Sequence, residues 1–262
     1  MRSTTALLAK GFWGRTMAHL QRQVQIVTKM ENIRGPSGPY DLQKFEGPDD
    51  VEDIKLMCDQ EFGGFSTSHS EYVSTRPAGA GAAAGRGYMR WYGTISDQLP
   101  KDRFKVKRSG FAAFRTGDQK LSAFGYGRWD VEPWNYLALR IKSDGRSYYV
   151  NVMTESIVPQ DVFQHRLFAK RPGEWETVLI DWRDFMRTNH GMVIEPQIQL
   201  IKQRVLTVGI SLIDRKPGPF ELCVERIWAT NDRGDHTTDE RKALGSNGLK
   251  NKQGQDVTWK MD

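Results

Sequence analysis

Tyr136–Thr154 reads YLALRIKSDGRSYYVNVMT, and its period is two. Leu137, Leu139 and Ile141 fall on one side of an extended chain, and Tyr148–Met153 (YYVNVM) continues with aromatic and β-branched residues. Alternation of this kind is the mark of a half-buried strand. Between the two runs stands Lys142–Ser143–Asp144–Gly145. Its Asp-Gly pair predicts a β-hairpin, because glycine accepts the positive φ that a tight turn needs.

The same period recurs on both sides of this stretch. Tyr88–Ile95 (YMRWYGTI), Phe111–Arg115 (FAAFR), Thr177–Trp182 (TVLIDW), Leu206–Ile213 (LTVGISLI) and Phe220–Val224 (FELCV) all read as short strands. In the last two, Leu206, Val208, Ile210 and Leu212, and then Phe220, Leu222 and Val224, line single faces. Seven or eight such strands separated by turn residues predict an all-β sandwich.

Composition sets the outer limits. The chain has 262 residues, 38% hydrophobic, enough for a core in one or two domains. No run reaches the roughly 18 apolar residues of a membrane-spanning helix. The net charge of +6 is modest, so nucleic-acid binding is not expected, and an anionic membrane surface or an acidic protein fits equally well. Cys58 and Cys223 are the only cysteines and no Asn-x-Ser/Thr site occurs, which favours a reducing compartment.

Residues 1–34 carry Arg2, Lys10, Arg15, Arg22 and Lys29, with no acid before Glu31. Leu8, Phe12, Leu20, Val24 and Val27 recur at helical offsets, with Trp13 and Met17 beside them. A basic, hydroxylated, amphipathic start predicts a mitochondrial targeting segment. Kept on the mature protein, the same helix would lie on a membrane, with Phe12, Trp13 and Leu20 in the interface and Arg15 at the headgroups. Packing of the helix on the domain is the plain alternative.

Residues 35–44 read as a linker around Gly35–Pro39, 45–230 as the sandwich domain and 231–262 as a polar tail. The acidic segment Glu46–Glu61 predicts a short surface helix around Ile54 and Met57. Ala78–Gly87 (AGAGAAAGRG) lacks the Lys-Ser/Thr end of a phosphate loop and reads as a mobile loop. Lys101–Arg108 (KDRFKVKR) alternates Phe104 and Val106 with lysines, as on an edge strand guarded by charge.

No reactive constellation emerges. The five histidines have no metal-ligand spacing, and neither a nucleophile elbow nor a dinucleotide fingerprint is present. Glu155, Asp161, Glu174 and Asp181 are the carboxylates that two-carboxylate hydrolysis would draw on, but spacing alone does not pair them. We therefore expect no catalytic residues, no metal and no cofactor. Recognition fits better. Trp129, Trp134, Trp175 and Trp182 are either core or sugar- and protein-stacking surfaces. In Asp161–Phe185 the stretch Phe163–Arg171 reads as the loop half, where Phe163, Gln164, His165, Arg166, Phe168, Lys170 and Arg171 set donors and positive charge around an apolar centre. A basic rim around an apolar centre suits docking onto an acidic partner.

Five segments together carry a resemblance: Tyr136–Gly145 (YLALRIKSDG), Tyr148–Thr154 (YYVNVMT), Asp161–Phe168 (DVFQHRLF), Arg171–Leu179 (RPGEWETVL) and Gly218–Trp228 (GPFELCVERIW). In this order they resemble the complex I intermediate-associated protein 30 family, over roughly Phe45 to Thr230. The resemblance implies a jelly-roll sandwich of the galactose-binding-domain-like type, located in the mitochondrial matrix at the inner membrane. It also implies a non-enzymatic role, holding membrane-arm intermediates of respiratory complex I together with other assembly factors. It brings no catalytic residues. The alternative that the fold permits is a carbohydrate-binding module using exposed aromatics.

Overall fold

The computed structural model describes residues 38–75, 87–99, 109–118 and 121–233 apart from 124, 157, 159, 160 and 190, together with residues 11–14, 16, 17, 20, 21, 24 and 36. Lys101–Arg108, all of the Gly-Ala run except Gly87, Arg15 and the tail beyond Arg233 lie outside the described residues.

Two antiparallel sheets pack face to face. The first holds β1 (Tyr40–Lys44), β3 (Thr67–Ser74), β4 (Gly87–Ile95), β8 (Tyr136–Ser143), β11 (Trp175–Asp181) and β15 (Gly218–Thr230). Its order is β11-β8-β15-β4-β3, with β1 beside the C-terminal half of β15. The second holds β2 (Lys55–Cys58), β5 (Ala112–Arg115), β9 (Tyr148–Thr154), β10 (Asp161–Leu167), β12 (Met186–Asn189), β13 (Met192–Val193) and β14 (Val205–Leu212), in the order β13-β12-β10-β9-β14-β5-β2. A two-stranded ribbon, β6 (Leu121–Ser122) and β7 (Gly125–Tyr126), stands apart.

The alternating residues form the core. Leu137, Leu139 and Ile141 face Val150, Val152, Val208, Ile210 and Leu212 across the sandwich, and all eight are fully buried. Trp91 ties the layers together: its ring meets Phe220 on β15 at 4.8 Å and Phe114 on β5 at 5.0 Å, both edge-on. Each large side chain so enclosed contributes about 2–3 kcal/mol of apolar burial.

Four local expectations are corrected. Gly145 does take positive φ, at 90°, but β8 and β9 do not pair; they lie in different sheets. The turn is an arch. Asp144 donates its N–H to the Glu221 carbonyl at 3.2 Å, and its carboxylate accepts from Glu221 N–H at 2.9 Å and from the Tyr148 hydroxyl at 3.0 Å. These bonds satisfy the turn from β15, so the chain crosses between sheets rather than folding back.

The expected linker contributes a strand. Tyr40–Lys44 pairs with β15, Tyr40 stacks on Trp134 at 5.1 Å, and Trp134 Nε1 donates to the Gly38 carbonyl at 2.9 Å. Within the acidic segment the helix α1 is confined to Pro48–Glu52; buried Ile54 and the strand β2 follow it. Finally, the stretch from Phe163 is not loop until after Leu167, because β10 is paired on both sides, by β9 and β12. Trp182 opens a short 3-10 turn beyond β11 and is buried, while Trp175 is half-exposed. Trp129 and Trp134 are core.

Candidate interaction surface

The pairing registers align Leu167, Tyr148, Leu212, Ala112 and Cys58 in one row across the second sheet. Chain leaving Leu167 and chain leaving Cys58 therefore emerge at the same end of the sandwich. Four strand spacings separate them, about 19 Å.

The residues singled out in β10 and after it divide by alternation. Phe163 and His165 point into the core and are 3% and 8% exposed, so neither can meet a partner. Burial lowers the His165 imidazole to about 4, and its ring packs on Phe168 at 5.9 Å and Phe185 at 5.7 Å. Gln164 and Arg166 face outward. Gln164 donates to Asn151 at 2.8 Å; Arg166 donates to the Ser147 hydroxyl at 3.1 Å and lies over the Phe168 ring at 5.3 Å.

Phe168, Lys170 and Arg171 lie on the loop proper. The buried Glu176 carboxylate shapes that loop, accepting from Lys170 N–H at 3.1 Å and Arg171 N–H at 3.2 Å. The charged ends of Lys170 and Arg171 remain exposed. Of the seven residues, five can therefore share a surface.

The outer face of the first sheet carries aromatic and basic groups that no sequence pattern signalled, since they meet only through the strand order. Arg90 on β4 bridges Glu71 at 2.9 Å and Glu221 at 2.5 Å and covers the Tyr92 ring at 4.5 Å. The hydrogen bonds it donates to Glu221 and then to Glu71 raise its pKa. Arg226 pairs with Asp41 and covers Trp228 at 4.7 Å. Tyr88 and Trp175 reach over two intervening strands and touch edge-on at 5.1 Å. On the same face the Cys223 thiol is pushed up to about 11, first by burial and then by Glu221.

The four candidate carboxylates are held by cations rather than by each other. Glu155 joins Arg128 at 2.7 Å and Arg204 at 3.0 Å. Asp161 joins Arg187 and Asn189, and Asp181 joins Arg183. Glu174 lies 3.8 Å from Arg171. Among the described residues no three His, Cys, Asp or Glu side chains converge on a metal position.

In the N-terminal segment, residues 12–14, 16, 17, 20, 21 and 24 are helical, and Phe12, Trp13, Met17, Leu20 and Val24 are exposed. Thr16 is buried and its hydroxyl accepts from Ala123 N–H at 3.1 Å. Among the described residues no helix is long and apolar enough to cross a membrane.

Fold and surface together define a class: an all-β sandwich of two antiparallel sheets, whose outer face carries aromatic and arginine side chains. Within that class the chain belongs to the complex I intermediate-associated protein 30 family, whose model matches residues 43–224. It is 50% identical to the mitochondrial complex I intermediate-associated protein 30 of Neurospora crassa, over 99% of this chain and 98% of that protein. The Drosophila melanogaster protein of the same name is 27% identical over 72% of this chain and 62% of its own length; the Mus musculus one is 28% identical over 54% and 44%. A family 11 carbohydrate-binding module of Clostridium thermocellum, solved with a mixed-linked tetrasaccharide, superposes with a TM-score of 0.49 at 15% identity, covering 75% of this chain and 97% of the module.

Proposed function

We propose that this chain is a mitochondrial assembly factor for respiratory complex I, acting without catalysis by binding membrane-arm intermediates alongside other assembly factors. The observation that carries this reading is the near-full-length kinship with the Neurospora crassa protein. The surface chemistry supports it: half-exposed Trp and Tyr side chains interleaved with Arg are the residue types enriched in protein interfaces. We place the protein in the matrix, at the inner membrane. The exposed Phe12, Trp13 and Leu20 support a peripheral contact there.

The carbohydrate-binding alternative gains no support from Tyr92, Trp228, Trp129 or Trp134. Sugar stacking needs a free ring face, and the Tyr92 and Trp228 rings are overlaid by Arg90 and Arg226. Trp129 and Trp134 are buried. Native gels of mitochondria from a strain lacking the chain test the proposal. Mature complex I should fall and a membrane-arm intermediate should accumulate or vanish; a normal level of mature complex overturns it.

A further inference from the structure

The turn from Asp59 to Ser66 displays two phenyl rings to solvent. Phe62 is 62% exposed and Phe65 55%. Contiguous exposed apolar surface marks interaction sites while single exposed side chains are ordinary, so the two rings gain weight from what lies beside them.

The backbone beneath them is firmly held. The Asp59 carboxylate is wholly buried and accepts from Ser66 N–H at 2.9 Å, the Ser66 hydroxyl at 2.9 Å and Gly110 N–H at 2.6 Å. Gly64 N–H donates to the Asp59 carbonyl at 2.8 Å, and Gly63 takes the left-handed conformation at φ 87°. A Cβ on Gly64 would lie 2.4 Å from the Asp59 carboxyl carbon. The two rings are thus presented on a pre-ordered turn, which lowers the entropy lost when a partner binds.

A cavity of about 320 Å³ opens beside the turn, lined by Leu56, Met57, Cys58, Gln60, Glu61 and Ser68. It sits where the edges of the two sheets meet. β2 ends one sheet and β3 the other, and among the described residues neither has a strand on its outer side. A sheet edge beside a side-chain pocket is a geometry by which an extended peptide is gripped, and of the two edge strands β3 is also packed by α1. Glu61 is the one charged residue lining this cavity, and exposed Asp97 follows the nearby end of β4. Acidic groups here repel an anionic membrane and attract a basic residue.

We propose that the Asp59–Ser66 turn and its cavity form a docking site for an extended segment of a partner protein, which seats an apolar side chain in the cavity and sets a Lys or Arg against Glu61. The proposal rests on the binding role argued above and names a surface about 19 Å from the β10–β11 loop. Phe62 and Phe65 act as anchors, and β2 and β3 supply the backbone edge.

The test uses the full chain in mitochondria, with a photo-reactive phenylalanine at position 62 or 65 and, as control, at Val193, an exposed residue on the edge strand β13. Cross-links from 62 and 65, but not from 193, should reach a complex I subunit or assembly factor, within a segment carrying Lys or Arg. The Glu61→Lys variant should lower their yield several-fold. The Phe62→Ser/Phe65→Ser variant, whose far-UV circular dichroism and melting should match wild type, should lower recovery of the intermediate about tenfold. Cross-links to lipid, to a second copy or to residues 101–108 of the same chain overturn the site, as does full recovery with the double variant. If intermediates still co-purify while the cross-links fall elsewhere, the site alone fails. If no intermediate co-purifies with the wild-type chain, the assembly role fails with it.

Discussion

The carboxylate of Asp59 and the amide of Gly110 stand 2.6 Å apart, fifty-one residues apart in sequence. This bond and the two from Ser66 give a buried charge three donors. Asp59→Ala would strand all three, at about 1–3 kcal/mol for each donor left unpaired. We expect a loss of about 4 kcal/mol in urea unfolding, seen as a lower midpoint at unchanged slope. Asp59→Asn keeps one acceptor oxygen and should lose about half as much. Equal stability of the alanine variant and wild type would show that the turn holds itself.

Gly145 makes the second test. Its φ of 90° disfavours any side chain, and an added Cβ would sit 3.1 Å from Pro172 Cγ. Gly145→Ala should therefore cost about 1–2 kcal/mol, read as a lower melting temperature. The same variant in a hairpin would meet no proline.

That position also shows what was legible in the sequence. Asp144–Gly145 announces a positive φ, and the structure has one. Whether the strands leaving it pair or part depends on Glu221, seventy-seven residues from Asp144, which no local pattern includes. The core rows were readable because burial imposes period two on every inner face. For the same reason Phe163 and His165 could have been placed inside, as the alternate residues of Asp161–Leu167. The Arg90 ladder and the Phe62–Phe65 turn were not readable, since strand order and a distant amide create them.

Arg146 and Asp214 form a pair whose side chains are 14% and 6% exposed. Arg146 also donates to the carbonyls of Gly218 at 3.1 Å and Pro219 at 3.0 Å, clasping the turn between β14 and β15. Removing one partner leaves the other charge buried, so Asp214→Ala and Arg146→Met should each cost about 3–5 kcal/mol. The double variant should cost less than the sum, with a coupling of about 1–3 kcal/mol in a double-mutant cycle. Additive losses would mean that the carbonyl contacts, not the ion pair, hold the turn.

His165 predicts a pH dependence with a definite sign. Its folded pKa, about 4, lies below the ordinary value of 6.5 because burial disfavours the imidazolium. Between those values the unfolded chain binds more protons than the folded one, so stability falls as pH drops from about 6.5 to about 4. The loss should approach 3 kcal/mol. Asp161, lowered chiefly by the hydrogen bond from Asn189 and also by Arg187, titrates below the ordinary carboxylate value and adds its loss at more acid pH. Denaturation midpoints measured from pH 4 to 7 should slope upward in the wild type and flatten in His165→Phe, which suits the neighbouring Phe168 and Phe185 rings. An unchanged slope in the variant would assign the dependence to another group.

The β10–β11 loop sets exposed charge beside a buried carboxylate within a few residues. Lys170 and Arg171 expose their charges, while the Glu176 carboxylate beneath accepts their backbone amides. Reversing both charges to Glu should change melting by no more than about 0.5 kcal/mol, as for ordinary surface substitutions. If the loop also meets an acidic partner, the reversal should lower recovery of complex I intermediates, most clearly at low salt, where exposed charges are least screened. Phe163→Ala acts through the core instead and should cost about 3–5 kcal/mol, with recovery falling only as folded protein is lost. Full recovery with the charge-reversed loop would leave the Phe62–Phe65 turn as the contact to pursue and remove the loop from the interface.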